Sequence, residues 1–116
     1  MITLYGLNNC DSTRLALKKL KAADIPFSFV DLKEDRPQED KIHYWAQNIG
    51  LEILLNKKST TWRNLTVDQQ SLISSLDSAI DLISRYPTLI KRPLIEKGGR
   101  VFCGIKEPEL SKFLNQ

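Results

Sequence analysis

The chain has 116 residues, 27% of them charged, and a formal net charge of +3. This length suits a single domain, residues 1–116, with its own hydrophobic core. The positive charge is small and dispersed, which argues against a nucleic-acid partner. No apolar run is long enough for a membrane span, and the N-terminus lacks the pattern of a secretion signal. We therefore expect a cytoplasmic protein. We also expect a monomer, although none of these patterns determines the oligomeric state.

The residues that could bind a metal are few. The chain has two cysteines, Cys10 and Cys103, and a single histidine, His43. These three widely spaced residues do not supply a tetrahedral nitrogen and sulfur site. In a reducing compartment the two cysteines are expected to be thiols and not a structural disulfide. The sequence therefore predicts neither a metal nor a tightly bound cofactor.

The first thirty residues predict a strand, a helix and a second strand. Residues 2–5 are a short apolar run, and residues 11–23 repeat leucines at helical spacing until Asp24 and Pro26. Residues 27–30 then read as another strand. A strand–helix–strand unit of this length has a right-handed crossover, which makes its two strands parallel.

A helical region follows, over residues 37–90. Pro37 favours the start of a helix, which Gly50 ends, and Thr66 with Gln69 three residues later forms the pattern of a capping box. The apolar spacing continues to about residue 85, with a break near Ser75. Pro87 opens a final helical turn.

The C-terminal quarter predicts a β-hairpin and a closing helix. Residues 94–96 and 100–103 read as strands, and Gly98-Gly99 between them suits a tight turn with positive φ. Residues 109–114 complete the pattern with a short helix. The order of elements predicts an α/β fold with a mixed sheet.

Cys10 is the candidate nucleophile. It ends the turn between the first strand and the first helix, where unpaired backbone N–H groups and the helix dipole favour a thiolate. Arg14, one helical turn later, would add positive charge on the same face, whereas Asp11 would oppose it. The alternative is a buried, inert cysteine, but the polar residues on both sides of Cys10 make a poor core environment.

Three groups of residues resemble the arsenate reductase family, which includes ArsC-like and Spx-like proteins, and in particular its YffB-like branch. They are Tyr5-Gly6 with Asn9-Cys10-Asp11, Leu54 to Lys57 leading to Thr60-Thr61-Trp62-Arg63, and Ile90-Lys91-Arg92-Pro93 with residues 98–101. The resemblance implies a thioredoxin-like fold. We therefore expect a four-stranded mixed sheet with helices on both faces and an inserted helical region at about residues 37–90.

The resemblance also assigns roles to individual residues. Cys10 would be the nucleophile and Arg14 its supporting cation, while the Arg92–Pro93 bond would be cis and face Cys10. The positions assigned to the substrate or an anion are Asn9, Arg63, Arg92 and Pro93. Arginine suits this task because its planar guanidinium binds carboxylates and oxyanions. Without the resemblance, Arg63 and Arg92 would read as surface charge.

Two departures from the family pattern limit the function. No second cysteine lies three positions after Cys10, so redox sensing by a CxxC pair is not expected. Val101 to Gly104 lack the arginine that glutaredoxin-dependent arsenate reductases carry in the last hairpin strand. Cys103, in that same strand, reads as a small core residue or as a resolving thiol that would have to lie near Cys10.

The sequence thus predicts a monothiol reductase whose Cys10 attacks an oxidised sulfur or an oxyanion. Glutathione would be the co-substrate that resolves the adduct. One alternative is an arsenate reductase that uses glutathione and glutaredoxin. Another is a non-enzymatic module that binds a protein such as RNA polymerase, as the resemblance to Spx-like proteins implies.

Overall fold

Four strands and seven α-helices make up the chain. In order they are β1 (Ile2–Gly6), α1 (Asp11–Ala22), β2 (Phe27–Asp31), α2 (Glu39–Ile49), α3 (Leu51–Leu54), α4 (Thr60–Arg63), α5 (Val67–Ser71), α6 (Leu76–Arg85), β3 (Leu94–Lys97), β4 (Arg100–Cys103) and α7 (Glu109–Leu114). The computed structural model describes all residues 1–116. They form two units, residues 1–32 with 92–116, and residues 33–91.

The first unit contains the sheet, whose strand order is β2-β1-β3-β4. β1 is parallel to β2 and antiparallel to β3, and β3 is antiparallel to β4. The turn between β3 and β4 is Gly98-Gly99, and both residues have positive φ, of 56° and 80°. Such a turn matches the twist of the two strands it joins. The four-stranded mixed sheet and its hairpin are therefore confirmed.

One face of the sheet forms the core of this unit. Strand residues point alternately to the two faces, and Ile2, Leu4 and Ile95 are buried together on one of them. Leu20 of α1 and Leu110 of α7 belong to the same cluster. Both helices of this unit therefore cover a single face of the sheet.

The second unit is helical. α2 packs against α6, and the Thr66 side chain and Gln69 form the expected capping box at the start of α5. A 3₁₀ turn at Leu72–Ser74 separates α5 from α6, close to the predicted break at Ser75. A bridge between Leu55 and Ile90 closes the unit.

Some local features were not expected from the sequence. The sequence pattern does not predict α4, a four-residue helix whose cap, Ser59, accepts a hydrogen bond from the Trp62 N–H at 3.1 Å. The Arg92–Pro93 bond is cis, as predicted, and Glu107–Pro108 is also cis. None of the helices has the length and apolarity needed to cross a bilayer.

Glu107 joins α7 to α1. Its carboxylate accepts hydrogen bonds from the Ser111 N–H at 2.9 Å and the Ser111 hydroxyl at 2.8 Å, and it pairs with Lys19 Nζ at 2.5 Å. The contact with Lys19 and the bonds from Ser111 lower the pKa of Glu107 to about 2. The folded protein therefore stabilises the ionised form of the Glu107 carboxylate.

Replacing Glu107 should make stability depend differently on pH. A lowered folded-state pKa adds stability above the ordinary glutamate pKa of about 4.3, and this stability is lost as the pH falls toward about 2. Glu107→Gln should therefore lower the melting temperature at neutral pH, and its difference from the unmodified protein should shrink in acid. Thermal melts across pH measure this. Glu109→Gln, the same change in the first turn of α7, is the control. Equal pH profiles of melting temperature for the two variants would mean that Glu107 has no special stabilising role.

Candidate functional site

Cys10 lies at the junction of β1 and α1. Its backbone is extended, with φ −106° and ψ 123°, and its carbonyl oxygen accepts the first hydrogen bond of α1, from the Arg14 N–H at 3.0 Å. Its own N–H donates to the Leu7 carbonyl at 3.2 Å. The side chain is half-buried, and no disulfide joins it to Cys103. The sequence therefore placed this thiol correctly, at the N-cap of a helix.

Thr13 is the residue that packs beneath this turn. It is fully buried, and its Oγ1 accepts a hydrogen bond from the Leu7 N–H at 3.3 Å. A Cβ atom on Gly6 would lie only 2.4 Å from that oxygen, so a glycine is needed where β1 ends. Because the oxygen accepts from Leu7, the single hydroxyl proton of Thr13 is available to the Cys10 sulfur.

Arg92 supplies the positive charge that acts on Cys10. It precedes the cis Pro93, which leads directly into β3. The Pro93 carbonyl accepts a hydrogen bond from the Gly104 N–H at 2.8 Å, which fixes this segment to the residue after β4. Cys10 and Arg92 are thus brought together from opposite ends of the chain, both within the first unit.

The pKa of the Cys10 thiol lies below its ordinary value. Burial acts most strongly and raises the pKa, but the Thr13 hydroxyl, the Thr13 N–H and the Arg92 guanidinium together outweigh it. The Cys10 side chain makes no close capping hydrogen bond, so these donors act as longer electrostatic contacts to a polarisable sulfur. The site therefore favours a thiolate, the nucleophilic form of cysteine.

Arg14 has a different partner from the one that the sequence suggested. Its guanidinium binds the Asp11 carboxylate at 2.6 Å, and the two side chains are 60% and 98% exposed. The groups that lower the pKa of Cys10 are Thr13 and Arg92. The two charges are opposite, close together and screened by solvent. Asp11 and Arg14 therefore largely cancel each other's field at Cys10.

The other predicted site residues have separate positions. Asn9 is exposed in the turn before Cys10, and Arg63 is exposed at the C-terminal end of α4 in the second unit. Cys103 is the last residue of β4, half-buried and paired with Leu94. The roles of Arg63 and Asn9 in anion binding stay predictions.

Thr13 is a site residue that the sequence analysis missed. In the sequence it is one of the polar residues after Cys10, which together favour an exposed surrounding for the thiol. Its place three residues after an N-cap is a usable signal, because the N–H at that position points back to the cap side chain. Arg92 was named for anion binding, and the structure adds its effect on Cys10.

The family model of ArsC matches residues 5–113. This chain belongs to the ArsC family. An uncharacterized protein of Haemophilus influenzae is 40% identical to this ArsC-family chain, over 94% of the chain and 95% of that protein. The global transcriptional regulator Spx of Listeria innocua is 31% identical, over 98% of the chain and 87% of the regulator.

Solved structures confirm the ArsC-family fold. A YffB protein superposes with a TM-score of 0.89 at 30% identity, covering 98% of this chain and 99% of that one. A possible arsenate reductase of Streptococcus mutans superposes with a TM-score of 0.80 at 28% identity, covering 96% and 98% of the two chains. The thioredoxin-like architecture and the YffB-like resemblance are therefore confirmed for this ArsC-family member.

The Thr13 hydroxyl should be required for the low pKa of Cys10. Thr13→Val keeps the shape and removes the proton donor, so the pKa should rise, and loss of the acceptor for Leu7 should cost about 1–3 kcal/mol of unfolding free energy. Thr13→Ser keeps the hydroxyl and should keep the low pKa. Alkylation rates across pH, in a Cys103→Ser background, measure it. Equal shifts of the Cys10 pKa in the two variants would mean that the Thr13 hydroxyl does not lower it.

Arg92 and Arg14 offer a matched pair, because each substitution by glutamine removes one positive charge. Arg92→Gln should raise the pKa of Cys10, because the guanidinium helps to hold that pKa below its ordinary value. Arg14→Gln should leave that pKa nearly unchanged, because Arg14 is exposed and bound to Asp11. Alkylation rates across pH distinguish the two variants. A larger rise of the Cys10 pKa in Arg14→Gln would mean that Arg14 is the supporting cation, as the sequence alone suggested.

Proposed function

We propose that this ArsC-family protein is a glutathione-dependent monothiol reductase with Cys10 as its nucleophile. The supporting observation is the half-buried thiol at the start of α1, whose pKa is lowered by Thr13 and Arg92. The thiolate is the form that attacks disulfides and oxyanions, and a lowered pKa increases the fraction of Cys10 in that form. Cys10 is followed by Asp11, Ser12 and Thr13, so the cycle needs an outside thiol and not a neighbouring cysteine.

The reaction would consist of two thiol exchanges. The Cys10 thiolate attacks one sulfur of an oxidised substrate, the substrate's sulfur–sulfur bond breaks, and the departing thiolate takes a proton from solvent. Glutathione thiolate then attacks the mixed disulfide and releases Cys10. When glutathione is itself the group bonded to Cys10, a second glutathione leaves with it as glutathione disulfide.

Arg92 would also bind the anionic part of the substrate. Glutathione carries two carboxylates, and a planar guanidinium binds a carboxylate with two parallel hydrogen bonds. Asn9, exposed beside Cys10, and the Pro93 segment would complete the contact surface. Arg63 is proposed as a further anion ligand on the basis of the family resemblance. It is exposed at the end of α4.

Two other functions follow from the relatives. Arsenate reduction is suggested by the likeness to the S. mutans protein, although Val101 to Gly104 provide no arginine beside the strand end. A regulatory role that needs no catalysis is suggested by the Spx relative, which matches 98% of this chain. Each alternative gives a different result in the assay below.

Cys10→Ser should abolish thiol transfer, because serine cannot form a mixed disulfide, while the fold should persist because the replaced side chain is small and half-buried. Cys103→Ser should keep most of the activity, since the proposed cycle uses only an outside thiol. The measurement is reduction of a glutathione mixed disulfide on a peptide, with glutathione as reductant. Mass spectrometry of the Cys10 adduct follows the intermediate.

The outcomes separate the candidate functions. Equal loss of activity from Cys103→Ser would mean that the two cysteines act as a pair and that the monothiol cycle is wrong. Turnover only when arsenate replaces the peptide would favour arsenate reduction. An unmodified protein with no activity on either substrate, and an ordinary Cys10 alkylation profile, would favour the non-enzymatic role.

A further inference from the structure

The outward face of α1 carries an exposed stripe that begins directly after Cys10 and is mostly basic from Arg14 onward. Residues three and four positions apart in a helix lie on the same side, and the exposed positions of α1 follow this spacing. They are Asp11, Arg14, Leu15, Lys18, Lys21 and Ala22. We call these six residues the α1 stripe. The opposite side of the helix, with Ala16 and Leu20, is buried against the sheet.

The charges on this stripe are only partly neutralised. Arg14 pairs with Asp11, and Lys19, on the adjacent side of α1, pairs with Glu107. Lys18 and Lys21 have no acidic partner within the chain and point into solvent. Leu15, 40% exposed, is a large apolar side chain between Arg14 and Lys18. The stripe thus combines two unneutralised cations with an apolar contact point.

The net charge of the protein is concentrated in the same unit. Residues 1–32 and 92–116 contain nine lysines and arginines against six acidic residues, whereas residues 33–91 contain eight of each. The whole excess of three positive charges therefore belongs to the unit that carries Cys10. A field of this sign attracts anionic partners and repels cationic ones.

We propose that the α1 stripe is the docking surface for a partner protein that is acidic beside its reactive sulfur. This inference rests on the proposed function and names its substrate class, namely protein disulfides flanked by aspartate or glutamate. Lys18 and Lys21 would face the partner's carboxylates, and Leu15 would contact an apolar side chain between them. Cys10, at the N-terminal end of the stripe, would face the disulfide.

The chemical step is an exchange of thiols. The Cys10 thiolate attacks the partner's sulfur in its mixed disulfide with a small thiol, the bond to the small thiol breaks, and that thiol leaves with a proton from solvent. The Cys10 sulfur is oxidised and the small thiol is reduced, so electrons balance. The α1 stripe takes no part in this step and acts on the encounter of the two proteins.

Lys18 and Lys21 have a structural role that the experiment must separate from docking. Cations in the last turns of a helix are stabilised by its dipole, so removing them could weaken α1. Variants with glutamine in place of these lysines that lose activity only through instability would melt at lower temperatures and react more slowly with every substrate. Docking predicts a loss of rate with the acidic substrate alone and an unchanged rate with a neutral substrate, whatever the change in melting temperature.

The test uses three disulfides. Two are mixed disulfides of mercaptoethanol with matched synthetic peptides, in which the cysteine is followed by several glutamates or by several glutamines. The third is bis(hydroxyethyl) disulfide, which is small and neutral. The rate of each disulfide with the protein is divided by the rate of the same disulfide with free mercaptoethanol. This ratio corrects for intrinsic differences in reactivity between the three disulfides. At low salt the acidic peptide should react about tenfold faster than its glutamine counterpart, and high salt should remove this ratio.

Two double variants then locate the effect. Lys18→Gln with Lys21→Gln should remove most of the preference for the acidic peptide. Lys106→Gln with Lys112→Gln makes the same change of net charge at exposed positions outside the stripe and should keep most of it. Equal losses would mean that overall charge, and not the α1 stripe, causes the preference.

The remaining outcomes separate this inference from the proposed function. No reaction with any of the three disulfides would contradict the monothiol reductase itself. Normal reaction with the neutral disulfide, without a preference for the acidic peptide, would contradict only the docking proposal. Normal reaction with the small disulfide and none with either peptide would also reject docking, because it would limit Cys10 to small substrates.

Discussion

The packing of Thr13 against Gly6 is the contact on which the site depends. The hydroxyl accepts from the Leu7 N–H, and this leaves its proton for the Cys10 sulfur. Burial alone would keep Cys10 protonated, since low polarity disfavours the charged form. The hydrogen bond from the Leu7 N–H to Thr13 also ties the end of β1 to the first turn of α1. A buried polar contact thus joins the strand and the helix that position the thiol.

Local patterns predicted most of the fold because local forces set those elements. The Gly98-Gly99 turn, the Thr66 capping box and the apolar spacing of α1 each reflect interactions between residues close in sequence. The helix α4 was missed because its cap is Ser59, in a stretch of polar residues that also resembles a loop. In four residues there is too little apolar periodicity to tell a helix from a turn.

The site was predicted less completely because its charges come from tertiary structure. Arg14 is one turn from Cys10, so sequence spacing favoured it, but Asp11 is also within reach and binds it in solvent. Arg92 follows Cys10 by more than eighty residues and comes to the thiol only because β3 lies beside β1. Helical spacing reports neighbours along one element, whereas the electrostatic field at the half-buried sulfur of Cys10 depends on every element around it.

The donors that lower the pKa of Cys10 also affect how the sulfur leaves. A thiol of low pKa is a weaker nucleophile per ion but a better leaving group. Thr13 and Arg92 would therefore stabilise the sulfur as it is expelled from a mixed disulfide, as well as before it attacks. A bond formed at Cys10 would then be short-lived, which suits a residue that passes a group from one thiol to another and does not retain it.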